Sequence, residues 1–153
     1  MDEEKGPSWL DRLTLVAEGE FAGWYSFGGH DPFEALTGPF YFKKARGQPP
    51  EMAFRSETKH MNGAGFMHGG CLMTFADFCL FVIAAKALKD SMAVTATFNC
   101  ELIGSVGEGA RVEASGEVVK AGRSLIFVRG LLTSASEPVM TFSGVLKKIR
   151  RRE

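Results

Sequence analysis

Asp77 is the only formally charged side chain between Lys59 and Lys86, and it stands in an apolar run from Cys71 to Ala85. A carboxylate in an apolar interior is costly unless it is paired or hydrogen-bonded. A chain that keeps one there has a candidate general base or nucleophile. The run opens with His68-Gly69-Gly70, a helix-start signature. Helix N-termini expose unpaired backbone N–H groups and positive dipole potential. Glycine there lets a ligand oxygen approach without a Cβ in the way. Gly69 and Gly70 are therefore candidates for an oxyanion hole, where one donor aimed at developing charge is worth roughly 2.7–4 kcal/mol. Asn62, six residues before His68, and Thr95, at the start of the next strand-like run, complete the constellation.

Spacing constrains how these groups could cooperate. Asp77 lies about two turns beyond Gly69, about 10–13 Å along a helix axis. That is too far to act on a carbonyl held at Gly69 of the same helix. Two such helices packed antiparallel across a twofold axis would bring one subunit's Asp77 to the other's Gly69. The sequence thus predicts a homodimer with a shared site, with further pairing into a tetramer as an option.

The elements that must position these residues are legible in outline. Residues 8–20 carry Trp9, Leu10, Leu13 and Val16 near one helical face, predicting a short amphipathic helix. An aromatic, glycine-rich loop follows from Gly23 to Phe33. Strands are expected over 38–44 and 51–59, with a turn at Gly47-Gln48-Pro49-Pro50. An irregular loop, 60–67, leads into one long helix from Gly69 or Gly70 to Leu88. Four β-rich runs then follow at 93–103, 109–119, 124–134 and 138–148, and their short connections predict an antiparallel meander. One apolar helix on a curved antiparallel sheet is the economical α+β arrangement. The organisation is read as an N-terminal helix and aromatic loop, 1–37, a principal domain, 38–149, and a basic tail, 150–153.

Composition narrows the function class. Lys plus Arg and Asp plus Glu each number 18, so the formal net charge is zero, which argues against a broad nucleic-acid surface. The three cysteines, Cys71, Cys79 and Cys100, lie in apolar segments without metal-ligand spacing and read as buried thiols of a reducing cytoplasm. No metal site is expected. No run reaches the ~20 apolar residues of a membrane span, and no secretory leader is read at the N-terminus.

The segment Asn62-Gly63-x-Gly65-x-x-His68-Gly69-Gly70-x6-Asp77 resembles the signature of the hotdog-fold acyl-CoA thioesterases of the PaaI-like family. Residues 93–99, the turn Gly122-Arg123-Ser124 and the strand 142–148 resemble further parts of that family, and the likeness covers roughly residues 52–149. The resemblance implies a hotdog fold that hydrolyses an acyl-CoA thioester, with coenzyme A as part of the substrate and no separate cofactor. On this chain it implies Gly69 as the oxyanion donor and Asp77 as general base or nucleophile. Thr95 would hold the water or the carboxylate, and Asn62 would position water or the loop. His68 would bond near the thioester and brace the turn. Gly70, Gly122, Arg123 and Ser124 would contact coenzyme A, Arg123 through its phosphates. Phe66 and Met67 hint at an apolar acyl group. His30 and His60 carry no assigned role. The first fifty residues exceed the family minimum and are candidates to shape the acyl pocket. A hotdog dehydratase or hydratase, or a non-enzymatic acyl-CoA or lipid-binding module, are the alternatives.

Overall fold

The computed structural model describes residues 12–89 and 91–150. Its strands are β1 (Thr14–Leu15), β2 (Tyr25–Ser26), β3 (Tyr41–Lys43), β4 (Glu51–Arg55), β5 (Met92–Leu102), β6 (Arg111–Ala121), β7 (Leu125–Ser134) and β8 (Glu137–Ile149). They form one antiparallel sheet in the order β1-β2-β3-β4-β6-β7-β8-β5. Helix α1 (Pro32–Thr37) precedes β3, and α2 (Gly69–Ile83) lies against the sheet with a short α3 (Ala85–Leu88) after it. This is the hotdog arrangement expected from the sequence.

The central helix owes its place to burial. Leu72, Phe75, Ala76, Phe78, Cys79, Leu80 and Val82 are buried, and each large side chain among them contributes about 1.5–3 kcal/mol on leaving water. The sheet makes room with glycines. Gly116 and Gly130 face each other across β6 and β7. A Cβ at Gly116 would lie 2.6 Å from Ile83 Cδ1, and one at Gly144 would lie 2.5 Å from Leu80 Cδ1. The remaining face of α2 is partly open: Gly70, Met73, Thr74, Asp77 and Phe81 form one stripe at helical spacing. Asp77 is thus half-buried on the helix's least covered side rather than enclosed in the core.

The structure corrects four sequence-based expectations. Residues 8–11 of the first predicted helix lie outside the described residues, and residues 12–20 are not an α-helix. Val16 N–H instead donates to the Trp24 carbonyl, and Gly23 N–H donates back to Val16, both at 2.9 Å. Gly19 and Gly23 supply φ values of +88° and +84° for the turn. Phe21 stacks on Tyr41 at 4.3 Å, and Glu20 pairs with Arg55 and Arg111. These anchors to the sheet outweigh a weak helical pattern.

The expected loop from Gly23 to Phe33 contains β2, a 3₁₀ turn at Gly28–His30 and the start of α1. Asp31 caps α1 with Pro32 in the first turn, a signal present in the sequence.

The four late strands are not a simple meander. β6, β7 and β8 are, but β5 pairs with β8 at the sheet edge. The 103–110 connection is a packed crossover rather than a hairpin. Val106 is buried and accepts from Met67 N–H at 2.7 Å, while Ser56 Oγ donates to Gly107 O and accepts from Ala110 N–H. The long predicted helix is also interrupted at Ala84, whose φ and ψ are −83° and 0°.

Candidate active site

The start of α2 is built by the preceding loop. Asn62 Oδ1 accepts from Ala64 N–H at 2.9 Å and Phe66 N–H at 3.1 Å, with Gly65 at φ +84°. His68 N–H donates to the His60 carbonyl at 2.8 Å. His68 is the N-cap, and its Nδ1 accepts from Gly70 N–H at 2.9 Å. A ring nitrogen that accepts there leaves the proton of a neutral imidazole on Nε2. The Gly70 N–H is therefore occupied. The Gly69 N–H makes no hydrogen bond among the described residues, so it is the available donor at this helix end.

Two turns along α2, Thr95 Oγ1 donates to Asp77 Oδ1 at 2.6 Å. The β5–β8 register shifts between Thr95 and Thr97. Such a bulge re-aims side chains, and here it lies beside the residue that meets Asp77. Burial pushes the Asp77 carboxyl above the usual carboxylate range, the Thr95 hydroxyl pulls it back down, and the charge of Asp31 raises it further. A half-buried, hydrogen-bonded carboxylate of raised basicity suits proton abstraction.

Asp77 and Thr95 open onto a cavity of about 470 Å³. Phe27, Phe81, Leu88 and Val94 give it apolar walls, and Arg12, His30, Asp31 and Glu34 bring polar groups to it. Sequence reasoning missed Glu34 and left His30 unassigned. The Asp31-Pro32 helix start was the local signal for Glu34. That a short helix would bring it to Asp77 depends on packing.

The other sequence-derived candidates are spread over the fold. Asn62, His68, Gly69 and Gly70 cluster at the start of α2, apart from the Asp77–Thr95 pair on the same chain. Phe66 is 50% exposed beside that cluster, whereas Met67 packs in the core. Gly122, Arg123 and Ser124 form the β6–β7 turn, where Gly122 N–H donates to Leu125 O and Ser124 O accepts from Lys148 N–H, both at 2.8 Å. Leu125, Lys147 and Val94 lie in one cross-strand row, so this turn and Thr95 share one end of the sheet. Burial pushes the Cys71 thiol up to about 11 and the Cys79 thiol well up, which leaves both as packing residues. Among the described residues no group of three or more His, Cys, Asp or Glu could hold a metal ion. No helix among them is long and apolar enough to cross a membrane.

The family model described as the Thioesterase superfamily matches residues 64–141. A Pseudomonas aeruginosa protein provisionally designated an esterase is 30% identical over 115 residues, covering 74% of this chain and 86% of that protein. A mutant form of the phenylacetic acid degradation protein PaaI from Thermus thermophilus is similar in structure, with 26% identity and a TM-score of 0.66, covering 78% of this chain and 100% of that one. A Bacillus halodurans protein solved with CoA shares the fold at 22% identity and a TM-score of 0.71, covering 80% of this chain and 81% of that one.

Proposed function

Since the chain belongs to the thioesterase superfamily, we propose that it hydrolyses acyl-CoA thioesters at a site shared between two subunits. The observation that carries this reading is the pairing of functions on α2: an unoccupied Gly69 N–H at its start and the Thr95-bonded Asp77 eight residues later. Within one chain these groups are two turns apart on one helix. An antiparallel α2–α2 contact along the Gly70, Met73, Thr74, Asp77 and Phe81 stripe would bring each Asp77 to the other Gly69. The edge strand β5 favours the same assembly. It is eleven residues long, and its outer edge has no partner among the described residues, with Val94 46% and Leu102 52% exposed. An edge of this kind is a template for a second copy.

The chemistry balances with these groups alone. Asp77 takes a proton from water as its oxygen attacks the thioester carbon. Gly69 N–H stabilises the tetrahedral oxyanion. The C–S bond then breaks, and the proton held by Asp77 passes to the departing thiolate, giving the free acid and CoA. Arg123, with Lys147 and Lys148 at the same end of the sheet, is the candidate to hold CoA phosphates. CoA in a structure of the same fold makes CoA thioesters the first substrates to test. The occupied Nδ1 of His68 supports a bracing role and favours hydrolysis over a dehydratase, which would use a histidine to move a proton at carbon.

The decisive experiment is thiol release from a panel of acyl-CoA substrates by the wild type and Asp77→Ala. Release that falls by about 10²–10⁴ in the variant is expected for loss of a general base. Acyl-CoA binding without any release would overturn the reading in favour of a binding module.

A further inference from the structure

Helix α1 is packed inside out. Phe33 and Leu36 are 60% and 72% exposed, whereas Glu34 between them lines the cavity that holds Asp77. Packing alone favours the reverse, because apolar burial is favourable and carboxylate burial is not. The helix is held this way at both ends. Asp31 Oδ1 accepts from Glu34 N–H at 2.9 Å, so Asp31 is engaged as a cap. At the other end His60, 3% exposed, donates from Nε2 to the Thr37 carbonyl at 2.5 Å, while its Nδ1 accepts from Glu57 N–H at 2.9 Å. The Glu34 carboxyl itself makes no hydrogen bond or ion pair among the described residues.

We propose that Glu34 is a positioning residue of the same site, a second carboxyl that shares the cavity of Asp77 and acts through it. The inference rests on the hydrolase reading of Asp77. Protonated, Glu34 offers an O–H to the space that Asp77 faces and adds no charge. Ionised, it adds a second negative charge there, opposing both the formation of hydroxide and the growth of the tetrahedral oxyanion. The groups around it are Asp31 and His30 on its own segment, Asp77 and Cys79 on α2, Thr95 on β5, and Arg12. Burial, then the charges of Asp31 and Asp77, push the Glu34 carboxyl up to about 8, so it holds its proton at neutral pH. The N-terminal segment thereby contributes to the chemistry as well as to pocket shape.

Two measurements test this. In the pH profile of kcat/KM, the wild type should fall about tenfold from about pH 7 to about pH 9, as for one required protonated group. In Glu34→Gln the same ratio should drop below about two. Independently of activity, carboxyl carbon NMR should show Glu34 titrating near 8 in the wild type and at lower pH in Asp77→Asn. An alkaline fall that persists in a folded Glu34→Gln overturns the proposal, as does a Glu34 titration that ignores Asp77→Asn. If Glu34→Gln is inactive throughout, the NMR shift decides. A wild type that releases no thiol from any acyl-CoA defeats the hydrolase reading instead, and the NMR titration still decides whether Glu34 and Asp77 are coupled.

Discussion

Thr95 Oγ1 donates to Asp77 Oδ1 at 2.6 Å, joining the edge strand β5 to the open face of α2. The bond ties a carboxylate that burial destabilises to a hydroxyl positioned beside a bulge. It links the candidate base to the strand on which dimerisation is proposed to depend.

Thr95→Val should therefore change the pH dependence as well as the rate. On the proposed mechanism activity needs ionised Asp77, so it should be lost as pH falls through the folded pKa of that carboxyl. The Thr95 bond favours the ionised form and lowers this pKa. Without the bond, the acid limb of the kcat/KM profile should move to higher pH. A limb that stays in place in Thr95→Val would separate the hydroxyl from catalysis.

Gly69→Pro isolates the proposed oxyanion donor. Proline is tolerated at the first helical position, and His68 already has the extended backbone, φ −60° and ψ 132°, that a following proline requires. The nearest obstruction to an added Cβ is Leu102 Cδ1 at 2.9 Å, the end of an exposed, flexible side chain. The fold should survive by circular dichroism, while kcat falls by about 10²–10³. Mixing this variant with Asp77→Ala should restore partial activity in heterodimers, each holding one intact shared site. Formation of heterodimers with no recovery would count against the shared geometry.

Glu34→Gln should stabilise the folded protein at neutral pH. The folded pKa is raised from 4.5 to about 8, so the native state binds the proton more tightly than the unfolded chain. The wild type therefore loses stability as pH rises between those two values. The glutamine variant avoids that loss, on the order of 1–3 kcal/mol near neutral pH after allowance for partial exposure. Thermal melts should show the gain at pH about 7 and none at pH about 4, where both states are protonated. Equal gains at both pH values would point to packing instead.

Gly116→Ala should destabilise through the sheet. Its Cβ would lie 2.5 Å from the Arg129 carbonyl oxygen and 3.1 Å from Gly130 Cα. Both are backbone atoms and neither can swing aside. A loss of about 1–3 kcal/mol is expected from overpacking, read as a lower melting temperature with the α2 face of the sheet forced open.

Much of the fold and part of the candidate site were legible in the sequence. The apolar run with one carboxylate, the glycine pair after His68 and the β-rich second half are local patterns, and local patterns survive folding. The sequence alone determined that Gly69 and Asp77 lie too far apart on one helix to meet within a chain, because helical rise is set by backbone geometry. Tertiary structure decided what depends on distant partners. Residues 12–20 abandon a weak helical pattern because Phe21, Trp24 and Glu20 find anchors on the sheet. β5 leaves the meander because the segment around Val106 packs as a crossover. Gly70 proves to be occupied by His68, and Glu34 faces Asp77 because His60 and Asp31 hold both ends of α1. Spacing can be counted along a chain, but which of two packings wins is settled by burial and hydrogen bonds between residues far apart in it.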